Sequence, residues 1–337
     1  SLDAHCLIGV LLFFAHPRSN LPVFCTNRSQ KERCTLICCG LLILSAACGC
    51  NNDYSGETAE GFPAVEVTAS AIIPQSTPLP CTYYDRNSFS NHISAAVDYG
   101  SNGEIFCGTV PHHLLAGRLI AGFLKTASSS RKQTDTVIVT ATMHFTEDNP
   151  ICTSMCDWDT PFGRLECDTV LTDAIIKETD AVCDNEMAEL DHGISALIPY
   201  IKYYFPDSQI AFVLVDEKAD KDIPDRLAEL YSGFDKECIF LFSADFSHYL
   251  PAHVTEQRDL ETIDAVASRD YKKVASMTDD NVDSPYVLGT FMRLAEKNST
   301  DPKLLDRSNS MLISGVPYSE KAYPEGLTSY LVYAAEK

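Results

Sequence analysis

One short run, residues 238–249 (CIFLFSADFSHY), constrains the fold of this chain more than any other stretch. Cys238 to Phe242 are apolar or nearly so, and the chain then turns abruptly polar at Ser243, Asp245, Ser247 and His248. An uninterrupted β-rich run of this length reads as a strand buried on both faces, as found inside a parallel sheet. In open α/β sheets the chemistry sits just beyond the carboxyl ends of such strands. Asp245 and His248 are therefore where site residues are expected.

Other strands deliver histidines to the same edge. Residues 105–110 read as a strand ending in Pro111-His112-His113, followed by helical spacing at Leu115, Leu119, Ile120, Phe123 and Leu124. Residues 136–142, rich in β-branched side chains, form a second strand that ends in Met143-His144. Residues 210–215 read as a third inner strand and 328–335 as the last strand of the chain. Helices are predicted over 169–179, 195–205, 223–231, 259–267, 271–277 and 288–295, and Asp191 is an N-cap that puts His192 at a helix start. The irregular stretch 146–166 reads as the wall or lid of a pocket, with Trp158 in it as a packing residue. This alternation predicts an α/β class: a single domain over 96–337 with a mostly parallel, doubly wound sheet flanked by helices.

Composition narrows the partners. A formal net charge of −21 over 337 residues argues against nucleic acid, because phosphate binding needs clustered Lys and Arg. Seven of the 14 cysteines lie in the first 50 residues. The other seven are scattered without a CxxC pair, which excludes a zinc-ribbon pattern; Cys152 and Cys156 are spaced for a disulfide.

Residues 1–50 belong to a different class and read as a leader. Arg28, Lys31 and Arg33 precede an apolar run from Thr35 to Ala47 that ends in Ser45-Ala46-Ala47-Cys48-Gly49-Cys50. A positive segment, a dozen apolar residues and small residues before a cysteine make a secretory signal, too short to span a bilayer comfortably. The ending resembles a bacterial lipobox. Cys48 is the candidate lipidated residue, with Cys50 as the alternative. The expected location is the bacterial cell envelope, lipid-anchored and extracytoplasmic, with the membrane reached through the lipid alone. Residues 1–26 lack an initiating Met, and a mis-assigned start is expected. Residues 1–48 hold four Lys/Arg and two Asp/Glu, so the remainder carries 22 basic and 45 acidic residues, a net −23. Residues 51–95 are predicted to be a flexible tether and lead-in, the first 30 of them rich in Gly, Ser, Thr, Pro and Ala.

His112, His144 and His248 each lie just past a predicted inner strand, and His192 opens a helix. A single histidine at a strand end is usually a loop or capping residue, but the fold brings these strand ends together. Imidazoles from separate strands can be held in the fixed geometry that a metal requires. Two of them with a carboxylate match the pattern of non-haem iron, which leaves coordination positions open.

These residues resemble a known family. Cys107-Gly108-Thr109-Val110-Pro111-His112, Thr142-Met143-His144, Asp191-His192-Gly193-Ile194 and Ser243-Ala244-Asp245-Phe246-Ser247-His248-Tyr249 look like the Memo family, whose bacterial members are called AmmeMemoRadiSam system protein B. The similarity runs in order from about residue 103 to the C-terminus, and the D-F-x-H block is its most specific piece. The resemblance implies a fold like that of class III extradiol dioxygenases of the LigB type. It implies His112 and His144 as metal ligands, His248 as the acid/base group with Asp245 beside it, and His192 lining the pocket. Memo proteins carry a cysteine as third ligand before a Gly-bearing helix. Registering that helix on Gly289 puts Asp283 there instead, which restores a triad of two histidines and a carboxylate. Asp283 also reads as a helix cap, and Asp245 as either an orienting partner of His248 or a turn pin. The expected ion is divalent, iron(II) first, with copper or zinc as alternatives, acting on a small molecule of the phenolic kind. The alternative function is a metal-holding or partner-docking lipoprotein without turnover. The sequence leaves the oligomeric state open.

Overall fold

The computed structural model describes residues 77–145 and 148–337. In chain order the elements are β1 (Leu79–Pro80), α1 (Arg86–Ala95), β2 (Ile105–Val110), a 3-10 turn (Leu114–Ala116), α2 (Gly117–Ser130), β3 (Thr136–Thr142), β4 (Ile151–Thr153), β5 (Trp158–Thr160) and β6 (Gly163–Leu165). There follow α3 (Thr169–Thr179), β7 (Val182–Cys183), α4 (Asn185–Leu190), α5 (His192–Ser195), α6 (Ile198–Tyr204), β8 (Gln209–Val215), α7 (Ile223–Ser232) and β9 (Cys238–Ser243). The chain ends with α8 (Ala252–Ala267), α9 (Tyr271–Val274), α10 (Pro285–Lys297), β10 (Lys303–Asn309), α11 (Ser310–Ser314) and β11 (Ser329–Glu336).

Eight strands make one sheet in the order β10-β11-β2-β9-β3-β8-β4-β7. Its centre, β2-β9-β3-β8, is parallel throughout, whereas β10 and β11 add antiparallel to one side and β4 to the other. Alternate residues of each inner strand feed two cores. From β3, Val137, Val139 and Ala141 face the core shared with α2 and α6, while Ile138 faces the core of α7 and α10. β8 alternates likewise, Ile210, Phe212 and Leu214 against Ala211, Val213 and Val215. This is a mixed α/β domain, a mostly parallel sheet covered by helices on both faces, and the uninterrupted apolar runs are what such strands require. β2 can lie under α2 because Gly108 has no side chain: a Cβ there would come within 2.3 Å of the Phe123 ring.

Before residue 96 the chain is already packed on this domain. Leu79 pairs with Trp158, and α1 buries Phe89 against Tyr200, their ring centroids 4.8 Å apart. Trp158 is fully buried, and Cys152 and Cys156, both buried, are not joined in the disulfide that their spacing allowed. Cys48, and with it the expected leader and the first part of the tether, lie outside the described residues.

Candidate metal centre

Parallel strands lie about 4.8 Å apart, so β2 and β3, separated by β9, stand roughly 10 Å apart. The residues after them nevertheless meet. The His112 and His144 rings have centroids 4.8 Å apart, edge to face, where β9 ends in the small residue Ser243, followed by Ala244. His192, the first residue of α5, stacks on His144 at 3.7 Å and lies 5.2 Å from His112. One nitrogen from each of these three imidazoles falls within 4.8 Å of the other two, a grouping able to hold a divalent metal ion.

Each of the first two rings is locked in one tautomer. The Ser243 hydroxyl donates to the Gly193 carbonyl at 2.6 Å, so its oxygen is left to accept from His112 Nδ1 at 3.1 Å. His112 Nδ1 therefore carries the proton and Nε2 presents its lone pair. Asp191 fixes His144 in the same way: its Oδ1 accepts from His144 Nδ1 at 2.9 Å and from the Gly193 amide, while Oδ2 accepts from the His144 amide at 2.7 Å. Burial would raise the Asp191 carboxyl, but the hydrogen bonds and charge of His144 bring it below the usual range. A carboxylate on the far nitrogen of a ligating histidine is the usual means of aiming the near one. Gly193 lets α5 sit against the end of β3, since a Cβ would be 2.6 Å from the Thr142 carbonyl oxygen.

Two aspartates adjoin the site, Asp245 buried and the Asp283 side chain 10% exposed. His112 Nε2 is 3.3 Å from Asp283 Oδ2 and 3.8 Å from Asp245 Oδ2. Asp245 Oδ1 accepts the His112 amide at 3.1 Å, and the His113 amide also donates to this carboxylate, so Asp245 ties the end of β9 to the turn after β2. Burial drives its pKa up to about 7. Asp283 Oδ2 accepts the Asp245 amide, and its buried Oδ1 has no hydrogen-bond partner. Burial, then the neighbouring Asp245 charge, pushes Asp283 well above the carboxylate range. The cap of α10 is Ser284, whose hydroxyl accepts from the Val287 amide; the cap reading of Asp283 gives way to a place facing the imidazoles. His248 is held by its amide on the Asp279 carbonyl, its buried Nδ1 has no hydrogen-bond partner, and burial drives its pKa down to about 3.

Comparison with known proteins places this arrangement. The family model described as Memo-like protein matches residues 107–326. The chain belongs to the Memo-like protein family. Among curated relatives it is similar to a MEMO1 family protein of Pyrobaculum arsenaticum, 27% identical over 56% of this chain and 71% of that one. It is also 27% identical to one of Sulfurisphaera tokodaii, over 49% of this chain and 62% of the relative. A third, from Saccharolobus islandicus, is 28% identical over 34% of this chain and 43% of its own length.

In this Memo-like protein the sequence-derived residues His112, His144, His192, Asp245, His248 and Asp283 all come to one edge of the sheet. His192, expected to line the pocket, stands among the grouped imidazoles, and Asp283, expected as third ligand, lies beside His112. Asp245 serves the backbone of His112 and His113 rather than the turn of His248. Two residues that hold the imidazoles went unrecognised: Ser243, and Asp191 in its contact with His144. The Asp191 cap position was legible, but its second partner lies 47 residues away and leaves no local pattern.

Proposed function

We propose that this Memo-like domain holds one divalent metal ion at His112, His144 and His192 with Asp283 beside them, iron(II) the preferred ion, on a lipid-anchored protein of the bacterial cell envelope. One observation carries the metal reading. His112 Nε2 bears a lone pair and faces a carboxylate oxygen at 3.3 Å, an arrangement that needs a cation or a proton between the two atoms. The unpartnered Asp283 Oδ1 and the two tautomer-locked rings fit an ion better than a proton, because a proton would satisfy one pair only, whereas one nitrogen from each of three imidazoles lies within 4.8 Å of the others.

When bound, such an ion supplies Lewis acidity and positions for a small phenolic molecule and oxygen, as in the extradiol dioxygenases that the family resembles. This chain's own residues supply the rest. Ser243 and Asp191 keep two nitrogens aimed inward, Asp245 fixes the backbone that carries His112, and His248 is neutral at pH 7 and able to accept a proton.

A second reading, a metal-holding protein without turnover, is favoured by His192: a histidine that joins the donor group closes a position that catalysis would use. Both readings are tested on protein purified without oxygen. Metal content by mass spectrometry is expected at about one ion per chain, lost in His112→Ala. Binding of nitric oxide or a catechol to the iron form then supports the open, dioxygenase-like site, and its failure supports the closed one. No bound metal sinks both. The lipid anchor is tested by fatty-acid labelling, which Cys48→Ser should abolish.

A further inference from the structure

A helix leaves its last carbonyls without partners inside the helix. In α4 the Met187 carbonyl is taken by the Asp191 amide, but those of Glu189 and Leu190 face outward, and residues from far upstream satisfy them. The Thr82 hydroxyl donates to the Glu189 carbonyl at 3.3 Å, and the Tyr83 hydroxyl donates to the Leu190 carbonyl at 2.9 Å. The segment is moored behind them by Leu79, buried and paired with Trp158 in β1–β5, and by Asp85, which caps α1. Leu190 is two residues before His192, so the mooring sets the start of α5. It also lays the Tyr83 ring beside His192, with centroids 6.3 Å apart and tilted by 39°. Two further rings lie near His192, His144 at 3.7 Å and His112 at 5.2 Å. Burial, then the Asp191 charge, raises the Tyr83 hydroxyl, which sets this ring within electrostatic reach of the carboxylate that aims His144. Tyr83 lies outside residues 107–326, the span shared with the family model.

α5 has only four residues, and the His192 ring is half-exposed. Unlike His112 and His144, it does not issue from a strand end. We propose that Tyr83 is the positioning residue for His192, its ring backing the imidazole from outside and its hydroxyl holding the Leu190 carbonyl. The strap formed by residues 79–84 thereby makes a three-histidine centre out of a two-histidine one. This rests on the reading of His192 as a ligand. It assigns the N-terminal strap a part in setting how tightly, and with how many nitrogens, an ion is held.

The test uses cobalt(II) as the probe, since its visible spectrum reports the number of nitrogen donors. Tyr83→Ala is expected to weaken cobalt binding about tenfold, as loss of an outer support for a ligand does. It should also shift the spectrum in the direction of His192→Ala. The double variant should be no weaker than His192→Ala alone. Tyr83→Phe, which removes only the hydroxyl anchor, should give a smaller loss in the same direction, with folding of each variant checked by melting. Parent-like cobalt binding in Tyr83→Ala, or losses that add in the double variant, overturns the proposal while leaving the metal centre standing. A second readout needs no metal: diethyl pyrocarbonate should modify His192 faster in Tyr83→Ala than in the parent, located by peptide mass spectrometry. If the parent binds no cobalt, the metal reading fails and this rate alone judges Tyr83, an unchanged rate overturning it.

Discussion

Replacing Asp191 by Asn changes one atom of the site and removes its charge, and the cost can be worked from the contacts. Oδ1 receives two donors, His144 Nδ1 and the Gly193 amide, and Oδ2 receives one, the His144 amide. The asparagine will turn its oxygen to the Oδ1 side, because the other orientation loses two hydrogen bonds instead of one. Its NH2 then faces the His144 amide, donor against donor, and a buried N–H left unpaired costs about 1–3 kcal/mol. The two remaining bonds lose their charge assistance, at roughly 1 kcal/mol between them after the relief of burying a charge is counted. The expected loss is about 2–4 kcal/mol, or roughly 5–15 °C in the melting temperature of a domain this size. The tautomer of His144 survives, so metal affinity falls by only about tenfold, or about 1.4 kcal/mol. Melting of the metal-free protein and competition against a chelator measure the two effects separately. A stability within 1 kcal/mol of the parent, together with unchanged affinity, would refute the reasoning.

Three further changes test other parts of the site. Ser243→Ala removes the acceptor of His112 Nδ1 and the donor to the Gly193 carbonyl and frees the ring to take either tautomer; metal affinity should drop about tenfold by chelator competition, and the buried groups left unpaired should lower stability by about 1–3 kcal/mol in melting. Gly193→Ala puts a Cβ 2.6 Å from the Thr142 oxygen and must push α5 off β3, at about 1–3 kcal/mol in urea unfolding, with weaker metal binding as His192 moves from His144. His248 is held neutral by burial, with a pKa near 3 against about 6.5 in the unfolded chain, so its contribution is present above pH 6.5 and lost as pH falls toward 3. In the metal-free protein His248→Gln should therefore shift the acid-unfolding midpoint to lower pH by circular dichroism; an unmoved midpoint would count against the buried neutral imidazole.

The inner strands were legible because burial on both faces forces continuous apolar runs: β2 and β3 match the predicted spans to the residue, and β8 to within one. β10 was not legible. Its sequence, KLLDRSN, is mostly half-buried and owes its form to pairing with β11, which no local pattern announces. α1 was hidden for a similar reason, with Phe89 its only buried residue in a polar stretch. In the site, residues that follow strands were readable because topology fixes where strands end. Ser243, Asp191 and Tyr83 act across 131, 47 and 107 positions respectively, and only the folded chain brings each to its partner.

The same long reach decides when the site exists. His112, His144, His192 and Asp283 come from the ends of two strands, the start of a short helix and the approach to another, and no two are near neighbours in sequence. An unfolded chain cannot chelate with such a set, so an ion held there distinguishes native from denatured molecules almost completely. Each tenfold rise in free ion above its dissociation constant then adds about 1.4 kcal/mol to the native state. On the proposed metal reading, loading would follow folding instead of nucleating it.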